Sequence, residues 1–251
     1  MILSIFFSLF ATANVKTEIV KYELNGTKFE GFIAFDDKVK TPSPGFLIVH
    51  DWMGIGDYTK NKAKEMAKKG YVGFAVDIFG KGNNPKNQDE AAKLAGKFKE
   101  DRVKLRAHIQ AAYEVLSKRN EVNKEKIFVF GYCFGGTTAL ELGRAGAKLA
   151  GIVSFHGGLS NPKPADAKNI QAPVLILHGA DDPFVPAKEV TDFKSEMRAA
   201  KKVMQFVNYA GVVHSFTNPL AGDDKSKGAA YNEKADKESW VEFEKFVGKN
   251  I

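Results

Sequence analysis

The segment Gly131-Tyr132-Cys133-Phe134-Gly135-Gly136 decides the fold, because it places a cysteine where a strand should turn sharply into a helix. The run before it, residues 127–130, is apolar and typical of a buried strand, whereas residues 137–142 suit a helix. A nucleophile at such a turn needs residues without bulk two positions before and after, and Gly131 and Gly135 meet that need. The pattern predicts a nucleophile elbow. A small buried cysteine before a Gly-rich helix start is the alternative.

Short apolar runs alternate with helical patterns along the chain, which indicates an α/β fold. The runs cover residues 46–49, 72–76, 127–130, 150–154, 174–177 and 203–207. Between them, apolar side chains recur with helical spacing, for example over residues 105–116. Near the start, Asn25-Gly26 separates two strand-like segments and favours a hairpin turn. We therefore expect a mostly parallel, twisted sheet that begins with an antiparallel hairpin and carries helices on both faces.

The composition is that of one globular domain without a metal, redox-pair or nucleic-acid signature. The 251 residues are 44% hydrophobic and 27% charged, and the net charge is +7. The lysines are spread along predicted helix faces, where solvent surrounds them. One cysteine cannot form a C-x-x-C pair, and the chain has no H-E-x-x-H motif. We therefore expect no metal, no organic cofactor and no nucleic-acid partner.

The first thirteen residues have the pattern of a cleaved export signal. An apolar run from Ile2 to Phe10 precedes Ala11-Thr12-Ala13, a small-x-small site of the kind that signal peptidase prefers. No Lys or Arg precedes the run, so a buried amino-terminal strand is the alternative. The run is too short to span a bilayer as a helix, and no stable membrane anchor is expected. The prediction is a signal over residues 1–13, one domain over residues 14–251 and a periplasmic or secreted location, or a cytoplasmic one without cleavage.

Two further strand ends supply partners for Cys133. Asp182 and His214 each lie in a loop that follows a predicted strand. Because the carboxyl ends of parallel strands meet at one edge of a sheet, the three side chains should converge there. The chain order nucleophile, acid, histidine is the order of α/β-hydrolases. The histidine takes and returns the thiol proton, and the carboxylate orients it. Asp181 is the rival for the acid role, and the spacing within its loop favours Asp182.

Five segments together resemble the dienelactone hydrolase family, from about residue 22 to the carboxyl terminus. They are residues 50–54, 70–77, 131–136, 179–186 and 211–216. The resemblance implies a small single-domain α/β-hydrolase whose triad is Cys133, Asp182 and His214. It also implies an oxyanion hole formed by the backbone N–H groups of Phe134 and Trp52.

Two positions depart from the family pattern. Asp51 stands where the family usually has a glutamate that contacts the resting thiol, so this shorter carboxylate is expected to modulate Cys133. Asn218 stands where dienelactone-cleaving members carry an arginine that grips a substrate carboxylate. Dienelactone itself is therefore not the expected substrate. The side chains that either line the pocket or pack in the core beside it are Phe79, His156, Phe184 and Phe216.

The sequence therefore predicts a hydrolase that cleaves an activated acyl bond of a lactone, ester or thioester through an acyl-cysteine intermediate. An acyltransferase that uses the same triad is one alternative. A non-catalytic ligand-binding or redox-sensing protein on the same fold is another, although a sensor thiol does not require a proton shuttle. The expected partner is a small-molecule ester or lactone, and the expected state is a monomer or a weak homodimer.

Overall fold

The computed structural model describes residues 13–251, so the predicted export signal lies outside the described residues except for Ala13. Within this range the chain forms one eight-stranded sheet. Its strands are β1 (Val15–Leu24), β2 (Thr27–Asp36), β3 (Ser43–Val49), β4 (Val72–Val76), β5 (Val122–Tyr132), β6 (Gly151–Phe155), β7 (Val174–Gly179) and β8 (Met204–Tyr209). Their spatial order is β1-β2-β4-β3-β5-β6-β7-β8. The β1–β2 and β2–β4 pairs are antiparallel, and all later neighbours are parallel.

Helices cover both faces of this sheet, as the alternation of patterns predicts. They are α1 (Asp57–Lys68), α2 (Gln88–Glu100), α3 (Arg102–Ser117), α4 (Phe134–Arg144), α5 (Ala187–Ala199) and α6 (Glu233–Asn250). Apolar side chains of α2, α3, α4 and α5 build one core, whereas those of α1 and α6 build a second core with other residues of the same strands. Since each face of the sheet has its own core, the central strands are buried on both sides. None of the helices in the described range is long and apolar enough to cross a membrane.

The hairpin at the start of the sheet follows from its turn residues. Asn25 and Gly26 have φ values of 48° and 79°, and a type I′ turn requires positive φ at both central residues. Ten residue pairs then align β1 with β2, from Val15 opposite Asp36 to Leu24 opposite Thr27. The predicted antiparallel start of the sheet is therefore present.

Strand β5 exceeds its predicted apolar run by more residues than the other strands do. β5 begins at Val122, before the apolar run, because Ser43 of β3 pairs with Val122 and a register shift then brings Gly45 opposite Ile127. The residues inside the register shift are charged, so the early part of β5 does not have the apolar pattern that predicts a buried strand. The carboxyl end of the strand is unaffected, and it carries the elbow.

Candidate active site

Cys133 occupies a strained turn between β5 and α4. Its φ is 53° and its ψ is −116°, a combination that L-residues rarely adopt and that occurs mainly at functional sites. A side chain at Gly131 would overlap the carbonyl group of Gly135. One at Gly135 would overlap the carbonyl groups of Val49 and His50. The helix therefore approaches both strands so closely that only glycine fits, which is the steric reason for the elbow pattern.

The predicted acid and base lie against each other at the same edge of the sheet. The Nδ1 atom of His214 is 2.7 Å from the Oδ2 atom of Asp182, and both residues are buried. The other carboxylate oxygen of Asp182 accepts the Phe184 N–H at 2.8 Å, which fixes the carboxylate plane. Asp181, the rival acid, is exposed to solvent. The geometry therefore selects Asp182 over its neighbour.

His214 also reaches Cys133, so it connects the carboxylate to the sulfur. Burial alone would lower the pKa of His214, but the charge on the Cys133 sulfur, hydrogen bonds to Asp182 and Cys133, and the charge of Asp182 raise it to about 10. A histidine with such a pKa holds its proton at neutral pH. It can then give that proton to a leaving group.

The two backbone N–H groups predicted to form the oxyanion hole donate to no acceptor within the described residues. Phe134 is the first residue of α4, and Trp52 lies in the loop after β3, the strand that pairs with β5. Among residues 13–251, no protein acceptor receives a hydrogen bond from either N–H. The first N–H groups of a helix have no partner within the helix, and they carry partial positive charge. The two predicted donors therefore have their hydrogen-bonding capacity available.

Asp51 is bonded within its own loop. Its carboxylate accepts the N–H of Met53 at 2.8 Å. Burial raises the pKa of Asp51, while the Met53 hydrogen bond and the charge of His214 oppose this increase. The carboxylate thus has a clear tethering partner, and its predicted effect on the thiol stays a prediction.

His156 has a position that the sequence does not reveal. Its Nδ1 atom accepts the N–H of Cys133 at 3.2 Å, a donor shared with the Phe155 carbonyl at 3.0 Å. The proton of the ring is therefore on Nε2, which lies 2.9 Å from the hydroxyl of Thr217. Burial and the nearby His214 hold the pKa of His156 well below its usual range. The neutral ring therefore stabilises the elbow by accepting the backbone N–H of Cys133.

The three phenylalanines predicted beside the pocket differ in exposure. Phe79 and Phe216 are buried, with the ring of Phe79 packed 5.2 Å from that of Phe134. Phe184 is 60% exposed, and its ring centroid lies 5.3 Å from that of His214. Phe184 is therefore the one of the three that can contact a ligand at the mouth of the site.

Asn218 accepts the Leu220 N–H at 3.0 Å, so its side chain closes its own turn. In the described part of the chain, no cluster of three or more His, Cys, Asp or Glu side chains is arranged to hold a metal ion.

The chain is similar to known proteins over most of its length. The sequence profile of the Dienelactone hydrolase family matches residues 29–250. The chain belongs to this family. It is 31% identical to Protein usf of Aquifex pyrophilus over 212 residues, which are 82% of this chain and 89% of that protein.

Two solved structures of similar proteins superpose on nearly the whole fold. One, named m3DLH, has a TM-score of 0.91 and 32% identity, and the match covers 94% of this chain and 99% of m3DLH. The other is a dienelactone hydrolase-like promiscuous phosphotriesterase from metagenomic libraries, with a TM-score of 0.89 and 33% identity over 94% of this chain and 98% of that one. The predicted α/β-hydrolase fold and the assignment to the lactone and ester hydrolases are therefore confirmed.

Proposed function

We propose that this hydrolase cleaves an activated acyl bond, in a lactone, ester or thioester, with Cys133 as the nucleophile. The observation that carries the proposal is the hydrogen bond between Asp182 and His214, together with the electrostatic interaction of His214 with a partly exposed Cys133 at a strained elbow. Each group has the chemistry that its role requires, because the carboxylate orients the imidazole and the imidazole moves the proton.

In the first half of the reaction, the Cys133 thiolate attacks the acyl carbon and a carbon–sulfur bond forms. The carbonyl oxygen becomes an oxyanion, and the N–H groups of Phe134 and Trp52 bind it. When the tetrahedral intermediate collapses, the bond to the leaving oxygen or sulfur breaks. The leaving group takes the proton of His214.

In the second half, water attacks the acyl-cysteine thioester. The acyl-enzyme lacks the sulfur's charge, so one cause of the raised pKa of His214 is absent and the imidazole can act as a base. His214 removes a proton from the water, the carbon–sulfur bond breaks, and the thiolate and protonated His214 are restored. One water molecule is consumed, and the products are a carboxylic acid and an alcohol or thiol.

A panel of substrates with one variant tests this proposal. We expect the wild type to hydrolyse p-nitrophenyl esters, a γ-lactone or an alkyl thioester, and Cys133→Ala to lose at least about 10⁴-fold in turnover. A phosphotriester belongs in the panel because one similar protein is named for that activity. Adding an alcohol or amine acceptor separates hydrolysis from acyl transfer. Turnover retained by Cys133→Ala would identify another nucleophile, with Ser215 and Thr137 the nearest candidates in the motifs.

Export is a separate proposal, and it concerns residues 1–13. Cleavage after Ala13 would leave Asn14 as the first residue, and the backbone nitrogen of Asn14 lies 3.1 Å from the Asp36 carboxylate at the end of β2. The mature start would therefore remain fixed to the sheet. Amino-terminal sequencing of the protein from its native cell should return Asn14. A sequence that begins at Met1 would contradict export.

A further inference from the structure

His50 is a fully buried imidazole at the end of β3 for which the proposed reaction has no step. Its ring stacks on Phe134, with centroids 6.0 Å apart and planes 19° apart, and it also packs against Phe79. The residue thus lies between the elbow helix and the loop after β4. Its two ring nitrogens contact two different backbone segments.

The hydrogen bonds of His50 fix its tautomer. The N–H of Ile78 donates to Nε2 at 3.2 Å, so Nε2 carries no proton. Burial lowers the pKa of His50 to about 4, which keeps the ring neutral in ordinary buffers. The single ring proton is therefore on Nδ1, and Nδ1 lies 2.6 Å from the Asp51 carbonyl oxygen. The Gly54 N–H reaches the same oxygen only at 3.4 Å.

This bond determines the direction of the next N–H. The Asp51 carbonyl and the Trp52 N–H belong to one peptide unit, and no peptide bond in residues 13–251 is cis. A trans peptide is planar, so its C=O and N–H point in opposite directions. Holding the carbonyl toward His50 therefore turns the Trp52 N–H away from the imidazole and prevents the peptide from rotating.

We propose that His50 is a positioning residue for the oxyanion hole: its Nδ1–H fixes the Asp51–Trp52 peptide and aims the Trp52 N–H at the developing oxyanion. The inference rests on the proposed function, because it takes the Trp52 N–H as an oxyanion donor. It adds a residue that never touches the substrate. The Asp51 carboxylate has a different task, since it holds the following N–H, that of Met53.

The competing interpretation is that His50 only holds the loop at Ile78. The chain provides a matched control in His108, a second buried histidine whose Nδ1 lies 2.7 Å from the carbonyl oxygen of Ile78. Both histidines therefore bind Ile78, from its N–H and its C=O, but His50 is the one bonded to the Asp51 carbonyl. A role in loop anchoring predicts similar losses for both, and a role in positioning predicts a loss for His50 alone.

Two conservative variants of His50 each preserve the hydrogen bond of one ring nitrogen and remove that of the other. The side-chain amide of His50→Asn lies near the place of Nδ1 and can still donate to the Asp51 carbonyl. The longer side chain of His50→Gln puts its amide near the place of Nε2, where it can accept from Ile78 but leaves the Asp51 carbonyl without this donor. His108→Gln, which leaves the Ile78 carbonyl without the Nδ1 donor, is the control for the loop. All three are compared with the wild type in p-nitrophenyl ester hydrolysis and in iodoacetamide alkylation of Cys133.

We expect His50→Gln to lower kcat on the order of 100-fold with little change in KM, as a donor displaced by about 1 Å would. Its binding of an aryl trifluoromethyl ketone, which forms a tetrahedral adduct, should weaken by a similar factor, while the alkylation rate stays at the wild-type value. His50→Asn and His108→Gln should keep kcat within about tenfold of the wild type.

Wild-type kcat in His50→Gln, or an equal loss in His108→Gln, would overturn the inference. So would a loss in His50→Asn as large as in His50→Gln. Failure of the underlying mechanism looks different, because Cys133→Ala would then turn over esters as well as the wild type.

Discussion

The two ends of helix α4 bury polar groups in opposite ways. At its amino end, Cys133 has a strained backbone, and the N–H of Phe134 has no acceptor among residues 13–251. At its carboxyl end, Glu141 and Arg144 are both fully buried and fully engaged. Arg144 binds Glu141 at 2.9 Å and Glu196 at 3.0 Å.

The ion network extends beyond the helix and satisfies its members. Glu141 also accepts from Arg106 at 2.7 Å, and Arg106 binds Asp166 at 2.6 Å. Breaking one buried partnership leaves an uncompensated charge, which is far more costly than losing an exposed pair. The carboxyl end of α4 therefore stabilises the fold, whereas its amino end keeps the strain and the free donors that the proposed reaction requires.

The largest expected effect is at the amino end, in Asp182→Asn. We expect a fall in kcat/KM of up to about 10⁴-fold, because the amide no longer holds His214 in the productive tautomer. The charge of Asp182 and its hydrogen bond both raise the pKa of His214 toward 10, so their loss lowers it. The alkaline limb of the pH profile of kcat/KM should therefore move to lower pH in the variant. An unchanged alkaline limb would mean that His214 is not the proton donor.

A substitution at the carboxyl end of α4 should lower stability and leave catalysis unchanged. Arg144→Met leaves Glu141 and Glu196 buried without this partner, so we expect the free energy of unfolding to fall by about 3 kcal/mol. Urea denaturation measures the fall, and turnover per folded molecule should match the wild type. Lys237→Met removes a solvent-exposed pair with Glu233 and is the control, with little expected change in the denaturation midpoint. Equal midpoints for both variants would contradict the contrast between the two ends.

The smallest expected effect concerns Asp51, which lies beside the amino end. A carboxylate that faces the sulfur disfavours the thiolate, so Asp51→Asn should react faster with iodoacetamide near neutral pH and hydrolyse esters no better. Burial raises the pKa of Asp51, so the difference between the wild type and the variant should shrink as the pH falls toward that pKa.

A second variant separates the charge of Asp51 from its hydrogen bond. Asp51→Asn keeps an oxygen that can accept the Met53 N–H, whereas Asp51→Ala removes it. Equal alkylation of the wild type and Asp51→Asn from about pH 5 to 9, which brackets thiol titration near 8.5, would exclude a role of the charge. A loss of turnover confined to Asp51→Ala would then assign the residue to tethering the oxyanion loop.

The parts of the molecule that local sterics determine could be predicted from the sequence. Strands buried on both faces are continuous apolar runs, and residues 72–76 are β4 without a change of boundary. The close approach of α4 to the sheet requires Gly131 and Gly135, so the elbow can be predicted from the sequence. The order of three strand ends then predicts that Asp182 and His214 lie together, and the structure has them in contact.

The sequence contains no comparable pattern that predicts the long-range contacts. His50 meets Ile78 across 28 positions, and His156 meets Cys133 across 23, with nothing in the chain to pair them. The sequence also does not distinguish Phe216, which is buried, from Phe184, which is exposed at the mouth of the site. Tertiary packing decides these cases.

Trapping the acyl-enzyme tests the central claim most directly. The wild type is mixed briefly with a p-nitrophenyl ester, quenched in acid, digested and analysed by mass spectrometry. We predict a mass increase of one acyl group on the peptide that contains Cys133, with a matching burst of p-nitrophenol and no adduct in Cys133→Ala. An acyl group on a peptide that contains Ser215 but not Cys133 would contradict cysteine catalysis at this elbow. So would steady turnover in both the wild type and Asp182→Asn, with neither a burst nor an adduct in either protein.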